Sequence, residues 1–173
     1  YLNGKQIKSI YPKPLLICKL KKNEQIEFTM MSNLDIAINN AIYTPVSICA
    51  YEELNSNKYK FILESNGQLD EYEIIKRTSQ LIINKLIKIR DFLIKQKFTN
   101  NKNGIIILEN ENHTMGNLIT NGLQDHVNIQ YAGYSLDHLL IDEVTIKYIT
   151  NDKQTINNII NETITKQIGL FKH

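Results

Sequence analysis

From Asp70 to about Gln96 one periodic stretch constrains what this chain can fold into. Ile75, Ile82, Leu86, Ile89 and Leu93 recur at spacings of seven, four, three and four, and Leu81 and Phe92 widen the stripe. Those spacings are the signature of an amphipathic helix with one broad apolar face. Asp70 supplies an N-cap, and Glu73 three residues later completes the aspartate variant of a capping box. At 1.5 Å per residue such a helix is roughly 40 Å long. A helix with this face is not stable alone in water. Each buried Leu or Ile contributes on the order of 1.5–3 kcal/mol, so an uncovered face would forfeit much of a domain's stability. The stretch needs a partner.

The rest of the chain offers one. Gln96–Gly104 reads as a polar linker, at most about 30 Å long if extended. Ile105 to Leu108 reads as a buried strand, and a helix is expected from about His113 to Asp125, with Asn112 or Thr114 as its cap. Gly116 sits early in that helix, where a missing side chain permits close approach of another backbone. Val127–Tyr134 and Leu140–Thr150 read as an antiparallel strand pair. A last helix from about Asp152 places Ile156, Ile159, Ile160, Ile164 and Ile168 on one face. This β-α-β-β-α order predicts a small sheet with helices on one side, an α+β class. The expected seam brings Ile75, Ile82, Leu86, Ile89 and Leu93 against Leu118, Ile156, Ile160 and Ile164.

Upstream, residues 7–31 alternate apolar and Lys-rich runs as strands do, with Pro12 and Pro14 marking an entry turn or edge. Leu34–Ala41 reads as a single helical turn or a loop. Val46–Tyr51 and Tyr59–Glu64 read as strands, and Asn66-Gly67 as a turn.

Chemistry is sparse. The 173 residues hold 42% hydrophobic residues, enough for a core, and a net charge of only +2, too mild for a nucleic-acid clamp. Cys18 and Cys49 are far apart and lack metal-ligand spacing, so neither a zinc site nor a disulfide framework is expected. No apolar run reaches the ~18 residues of a membrane span, and no signal peptide is visible. The bias toward Asn, Ile and Lys fits an A/T-rich genome. Glu109, Glu111 and His113 could be read as an acid–base or metal cluster, but no nucleophile or orienting group lies nearby. The plainer reading puts the glutamates at a strand end and His113 at a helix start, bonding exposed amides. Asp125-His126 and Asp137-His138 are adjacent in sequence, unlike an acid–base dyad. Lys19, Lys21 and Lys22 lack the interleaved aromatics of a stacking platform, and the scattered glycines form no phosphate loop. No catalytic residue, cofactor or metal is expected.

The segment Glu109-Asn110-Glu111-Asn112-His113-Thr114-Met115-Gly116-Asn117-Leu118-Ile119, with Tyr131-Ala132-Gly133-Tyr134 and His138 downstream, resembles a signature of RNA polymerase assembly subunits. That family comprises archaeal subunit L, the eleventh subunit of eukaryotic RNA polymerase II and the amino-terminal domain of bacterial alpha. Its pattern is roughly acidic-Asp-His-Thr-Leu-Gly-Asn-Leu. This chain carries Asn112 for Asp, Met115 for Leu, and Ser135–Asp137 where proline is common. A second resemblance precedes it. Ile17–Glu27 is similar to a strand pair of the archaeal D subunit and the third subunit of polymerase II. Tyr43-Thr44-Pro45-Val46-Ser47 is similar to that family's Trp-Ser-Pro-Val step, and Phe61–Leu69 to the strand and turn before its last helix.

The resemblance implies a D-like and an L-like half fused in one chain, like the fused third/eleventh-subunit proteins of large cytoplasmic DNA viruses. Residues 1–50 would end a D-like inserted domain, 51–99 hold its dimerisation strand and long helix, and 100–173 form the L-like dimerisation domain. The chain opens at Tyr1 without the first strands and helix of a D subunit, so it is expected to be a segment of a longer polypeptide. The implied function is a non-catalytic platform for the largest and second-largest polymerase subunits, with room for small zinc-binding subunits and with DNA reached only through the complex. In that family the isoleucine stripes serve as core and as dimerisation surface. Glu109, Glu111, His113, Thr114, Gly116, Asn117, Gly133, Tyr134 and His138 are expected at subunit contacts. The location implied is the cytoplasm, in a virus factory or virion, for a viral protein and the nucleus for a cellular one. Two other classes stay open: a free-standing dimerisation module regulating transcription, and a small enzyme using His113 and the glutamates.

Overall fold

The computed structural model describes residues 16–96, 98, 102–136, 142–151 and 155–172. It divides into two compact units, Tyr1–Lys76 and Arg77–His173.

In the first unit, β1 (Val46–Asn55) and β2 (Lys58–Ser65) form an antiparallel hairpin, preceded by a single 3-10 turn at Ala41–Tyr43. Tyr51 lies opposite Phe61, and Glu53 opposite Tyr59. The Tyr51 ring centroid is 6.1 Å from that of Phe61 and 6.4 Å from that of Tyr59, cross-strand contacts that fix the register of the pair. The boundary expected between residues 50 and 51 falls inside β1. Residues 16–31, expected as strands, form none. Asn23 adopts a left-handed φ of 70° in a turn closed by the Glu24 amide on the Lys21 carbonyl at 3.1 Å. A strand exists only through its ladder partner, and the described residues provide none for the arms of this turn. Residues 7–15, with Pro12 and Pro14, lie outside the described residues.

After the turn at Gly67, whose φ is 84°, helix α1 runs over Glu71–Lys95. The Asp70 carboxylate accepts from the Glu73 amide at 2.9 Å, the capping contact the sequence predicts.

The second unit holds a three-stranded antiparallel sheet in the order β3-β5-β4: β3 is Asn103–Glu109, β4 Ile129–Ser135 and β5 Glu143–Thr150. Helix α2 (His113–Gln124) follows β3, and α3 (Ile156–Leu170) follows β5. The expected α+β class and β-α-β-β-α order are present. The Ile105–Leu108 run, expected to be buried throughout, alternates instead. Ile106 and Leu108 point into the core, whereas Ile105 and Ile107 are 55% and 47% exposed. An unbroken apolar run implies two covered faces, but the described helices cover only one.

The core is one cluster. Ile83, Leu86, Ile89 and Leu93 of α1, Met115, Ile119 and Leu123 of α2, and Ile156, Ile159, Ile160, Ile164 and Ile168 of α3 close over Ile106, Leu108, Val144, Ile146 and Tyr148 of the sheet. The Tyr148 ring lies against Gly104 on the neighbouring strand, and burial pushes its phenol above the usual value.

Candidate functional site

The long helix meets the signature segment and α3 through apolar contact and two polar clamps. Leu86 and Leu93 are 0% exposed, Ile89 is buried with them, and Ile82 and Leu118 pack half-buried against the same cluster as Ile156, Ile160 and Ile164. Ile75 stands apart at 56% exposure. Its angular position continues the stripe, but on α1 the residues of this cluster begin at Ile82 and Ile83; Ile74, buried on the first turn, is not among them either. On α2 the buried apolar side chains are Met115, Ile119 and Leu123, at i, i+4 and i+8, rather than Leu118.

The first clamp joins α1 to the signature. Lys85 Nζ reaches both Glu111 oxygens, at 2.9 and 3.2 Å, and the Glu111 side chain is largely buried. The second is a helix cap supplied from a distance. Asn157 Nδ2, on the first turn of α3, donates to the carbonyls of Ile94 (3.4 Å) and Gln96 (3.2 Å) at the end of α1. Those carbonyls have no partner within their own helix, so the contact fixes where α1 stops against the rest of the fold. Neither clamp is visible in the sequence: Lys85 and Glu111 are 26 residues apart, and Asn157 has no local pattern.

The signature residues occupy the turn between β3 and α2. Glu109 ends β3, exposed, and Asn110 takes a left-handed φ of 57°, which Asn tolerates better than most residues. Asn112 is the N-cap of α2, its Oδ1 accepting from the Thr114 amide at 3.0 Å. His113 therefore does not serve the helix amides as expected. Its Nδ1 lies 3.4 Å from the Tyr134 hydroxyl, with the rings edge to face at 5.9 Å. Gly116 is buried where a Cβ would come within 2.8 Å of both Tyr134 Cδ2 and Val144 Cγ1, so α2 seats directly on β4 and β5. At Gly133 a Cβ would meet the Tyr131 hydroxyl at 2.5 Å. Thr114 and Asn117 are exposed on α2, and Tyr134 is half-buried. His113, Asn117, Leu118 and Tyr134 line a shallow hollow of about 450 Å³ together with Ile82 and Phe171. His138 lies outside the described residues.

His126, at the end of α2, accepts the Asn128 amide at Nδ1 (3.2 Å), which places its proton on Nε2, 3.2 Å from Glu162 of α3. That is a structural bridge between helices. Among the described residues no three His, Cys, Asp or Glu side chains could hold a metal ion, and no helix is long and apolar enough to cross a membrane. Glu109, Glu111 and His113 do not converge on one point: Glu111 is turned to Lys85 and His113 to Tyr134.

Residues 103–173 match the model of the RNA polymerase Rpb3/Rpb11 dimerisation domain. Over 66 residues the chain is 30% identical to the DNA-directed RNA polymerase subunit Rpo11 of Saccharolobus solfataricus, covering 38% of this chain and 72% of that protein. The chain belongs to the Rpb3/Rpb11 family of RNA polymerase subunits. It is also 32% identical, over 166 residues and 92% of its length, to a protein of Acanthamoeba polyphaga mimivirus provisionally named as a DNA-directed RNA polymerase subunit. This chain spans 46% of that viral protein. The family resemblance read from the signature and the alpha-type fold therefore hold, and the relatives include a viral one. The matched segment, 103–173, contains β3, α2, β4, β5 and α3, and α1 lies outside it.

Proposed function

We propose that this chain is a non-catalytic assembly subunit of a DNA-dependent RNA polymerase. In it a D-like part, running to about residue 99, and an L-like part from 100 onward pair within one polypeptide. The pair forms the platform on which the largest and second-largest subunits assemble. One observation carries the reading: α1, which lies outside the matched dimerisation domain, buries Leu86, Ile89 and Leu93 in the same core as that domain's own helices. A family domain built for pairing thus has an amphipathic helix of its own chain on its apolar face. Tethering turns that pairing into an intramolecular event, at an effective concentration of roughly millimolar for a short linker. The pair then survives dilution that would part separate subunits. The exposed signature residues Glu109, His113, Thr114 and Asn117 face a neighbouring large subunit, and DNA is reached only through the complex. With the mimivirus relative as guide, the assembly works in a viral factory in the cytoplasm.

The test is affinity purification of the full-length protein from cells that make the polymerase, with mass spectrometry at rising salt. Co-recovery of two very large polymerase subunits is expected. Recovery of the protein alone, or only as a self-dimer, would overturn the platform and favour a free-standing dimerisation module.

A further inference from the structure

The sheet of the second unit has a core face and an outer face, and the outer one carries an apolar patch among polar and charged residues. Ile105 and Ile107 on β3, Ile149 on β5 and Tyr131 on β4 are all exposed there. In the ladder Ile105 lies beside Lys147, and Ile149 lies between Asn103 and Tyr131. The four apolar side chains thus surround the Lys147 position, above a shallow hollow of about 460 Å³. Among the described residues the charges on this face are unmatched. Lys147 has no ion-pair partner among the described residues, and neither has the Glu109–Glu143 pair, which sits directly opposed at the end of the β3–β5 ladder. Like charges placed opposite each other weaken a ladder unless a cation joins them. The face therefore calls for a carboxylate over Lys147 and a cation about four residues along β5, roughly 13 Å away.

Its size narrows the occupant. Three strands span about 10 Å, and seven residues of β3 run about 23 Å, a footprint of roughly 230 Å². A stable free-standing interface covers about 800 Å² per side, so this patch cannot hold two copies of the chain by itself. Its width matches one helix, about 10 Å across, in a partner also gripped elsewhere. The platform proposed above provides that second grip, and the inference rests on that reading. We infer that the outer face of the β3-β5-β4 sheet docks a single amphipathic helix of another RNA polymerase subunit. That helix presents an apolar stripe, an Asp or Glu to Lys147, and an Arg or Lys to Glu109 and Glu143.

The experiment uses the tagged full-length protein in cells that make the polymerase, with a photo-crosslinking phenylalanine analogue at position 131, alongside the variants Ile107→Asp and Lys147→Glu. The expected result is a crosslink from position 131 to a helix of another polymerase subunit that carries a carboxylate. Ile107→Asp should lower that crosslink at least about tenfold and Lys147→Glu several-fold, while thermal melting of the protein stays unchanged. If the large subunits co-purify but position 131 crosslinks to nothing, to residues 1–76 of the same chain or to a second copy, the docking face is overturned and the platform stands. If the unmodified protein recovers no large subunits, both readings fall.

Discussion

Two stretches of this chain share one local plan, a hairpin followed by a helix: β1-β2-α1 and β4-β5-α3. Their surroundings differ. β5 is flanked on its other side by β3, and α3 packs beside α2, so Val144, Ile146, Ile159 and Ile164 are excluded from solvent. The β1–β2 hairpin is a two-stranded sheet in which the Tyr51 ring makes tilted contacts with those of Phe61 and Tyr59 while all three stay exposed, Phe61 at 78%. Isolated two-stranded hairpins are marginal in water, and a third strand or a covering helix is what turns such a ribbon into a core. Local sequence makes the same elements twice; what is layered on them decides whether their apolar residues become core or surface.

The sharpest break of this contrast is a charge in each region. Leu86→Asp puts a carboxylate at a site with no water and no partner, and should cost more than about 4 kcal/mol. Cooperative melting of residues 77–173 should vanish and polymerase assembly with it. Phe61→Asp in the hairpin should leave that melting transition within about 0.5 kcal/mol of the parent. Calorimetry on both variants decides: a Leu86→Asp protein that melts and assembles normally would sink the seam.

Gly116→Ala tests how closely α2 rides on the sheet. The added methyl meets the half-buried Tyr134 ring and a methyl of buried Val144, both of which must shift, at a cost of about 1–3 kcal/mol. The same change at an open helix site gains up to about 1 kcal/mol, so a net loss in chemical denaturation identifies contact rather than propensity. Smaller again is Asn157→Ala, which strips the cap from the end of α1 and should cost about 1 kcal/mol. Hydrogen exchange should show the last turn of α1 opening faster while its centre is unchanged. The smallest effect belongs to Lys85 and Glu111. A double-mutant cycle with alanine at each should give a coupling of about 0.3–1 kcal/mol, because Lys85 is half exposed, and it should shrink in high salt.

Much of the helical structure is legible in the sequence because the helices obey a 3.6 period and the starts of α1 and α2 carry caps: Asp70 and Asn112 do what their side chains predict. The end of α1 at Lys95 and the antiparallel pairing of β4 with β5 follow the same logic. Other features depend on residues distant in sequence. Ile105–Leu108 reads as buried on both sides because alternation cannot be seen in a run where every side chain is apolar. Ile75 fits the stripe by angle, yet it is exposed and not a member of the cluster. The Lys85–Glu111 and Asn157–α1 contacts join residues tens of positions apart, and a polar side chain at an exposed-looking position carries no mark of its distant partner. Met115, Ile119 and Leu123 show an i+4 repeat in the sequence, but the adjacent Leu118 is equally apolar, and only the packing on the sheet tells the two positions apart.

The order of the elements along the chain gives α1 a history. Its apolar face is complete once Leu93 has been made, but the residues that bury it extend to Ile168, about 75 positions later. At a synthesis rate of ~5–20 residues per second, that helix emerges from the ribosome some ~4–15 s before its cover is finished. A nascent chain with Leu86, Ile89 and Leu93 bare for seconds is a target for chaperones and for any other unpaired helix nearby. The fused order thus sets a race between later translation and misassociation, in which slower codons after residue 95 would lower the yield of correctly paired protein.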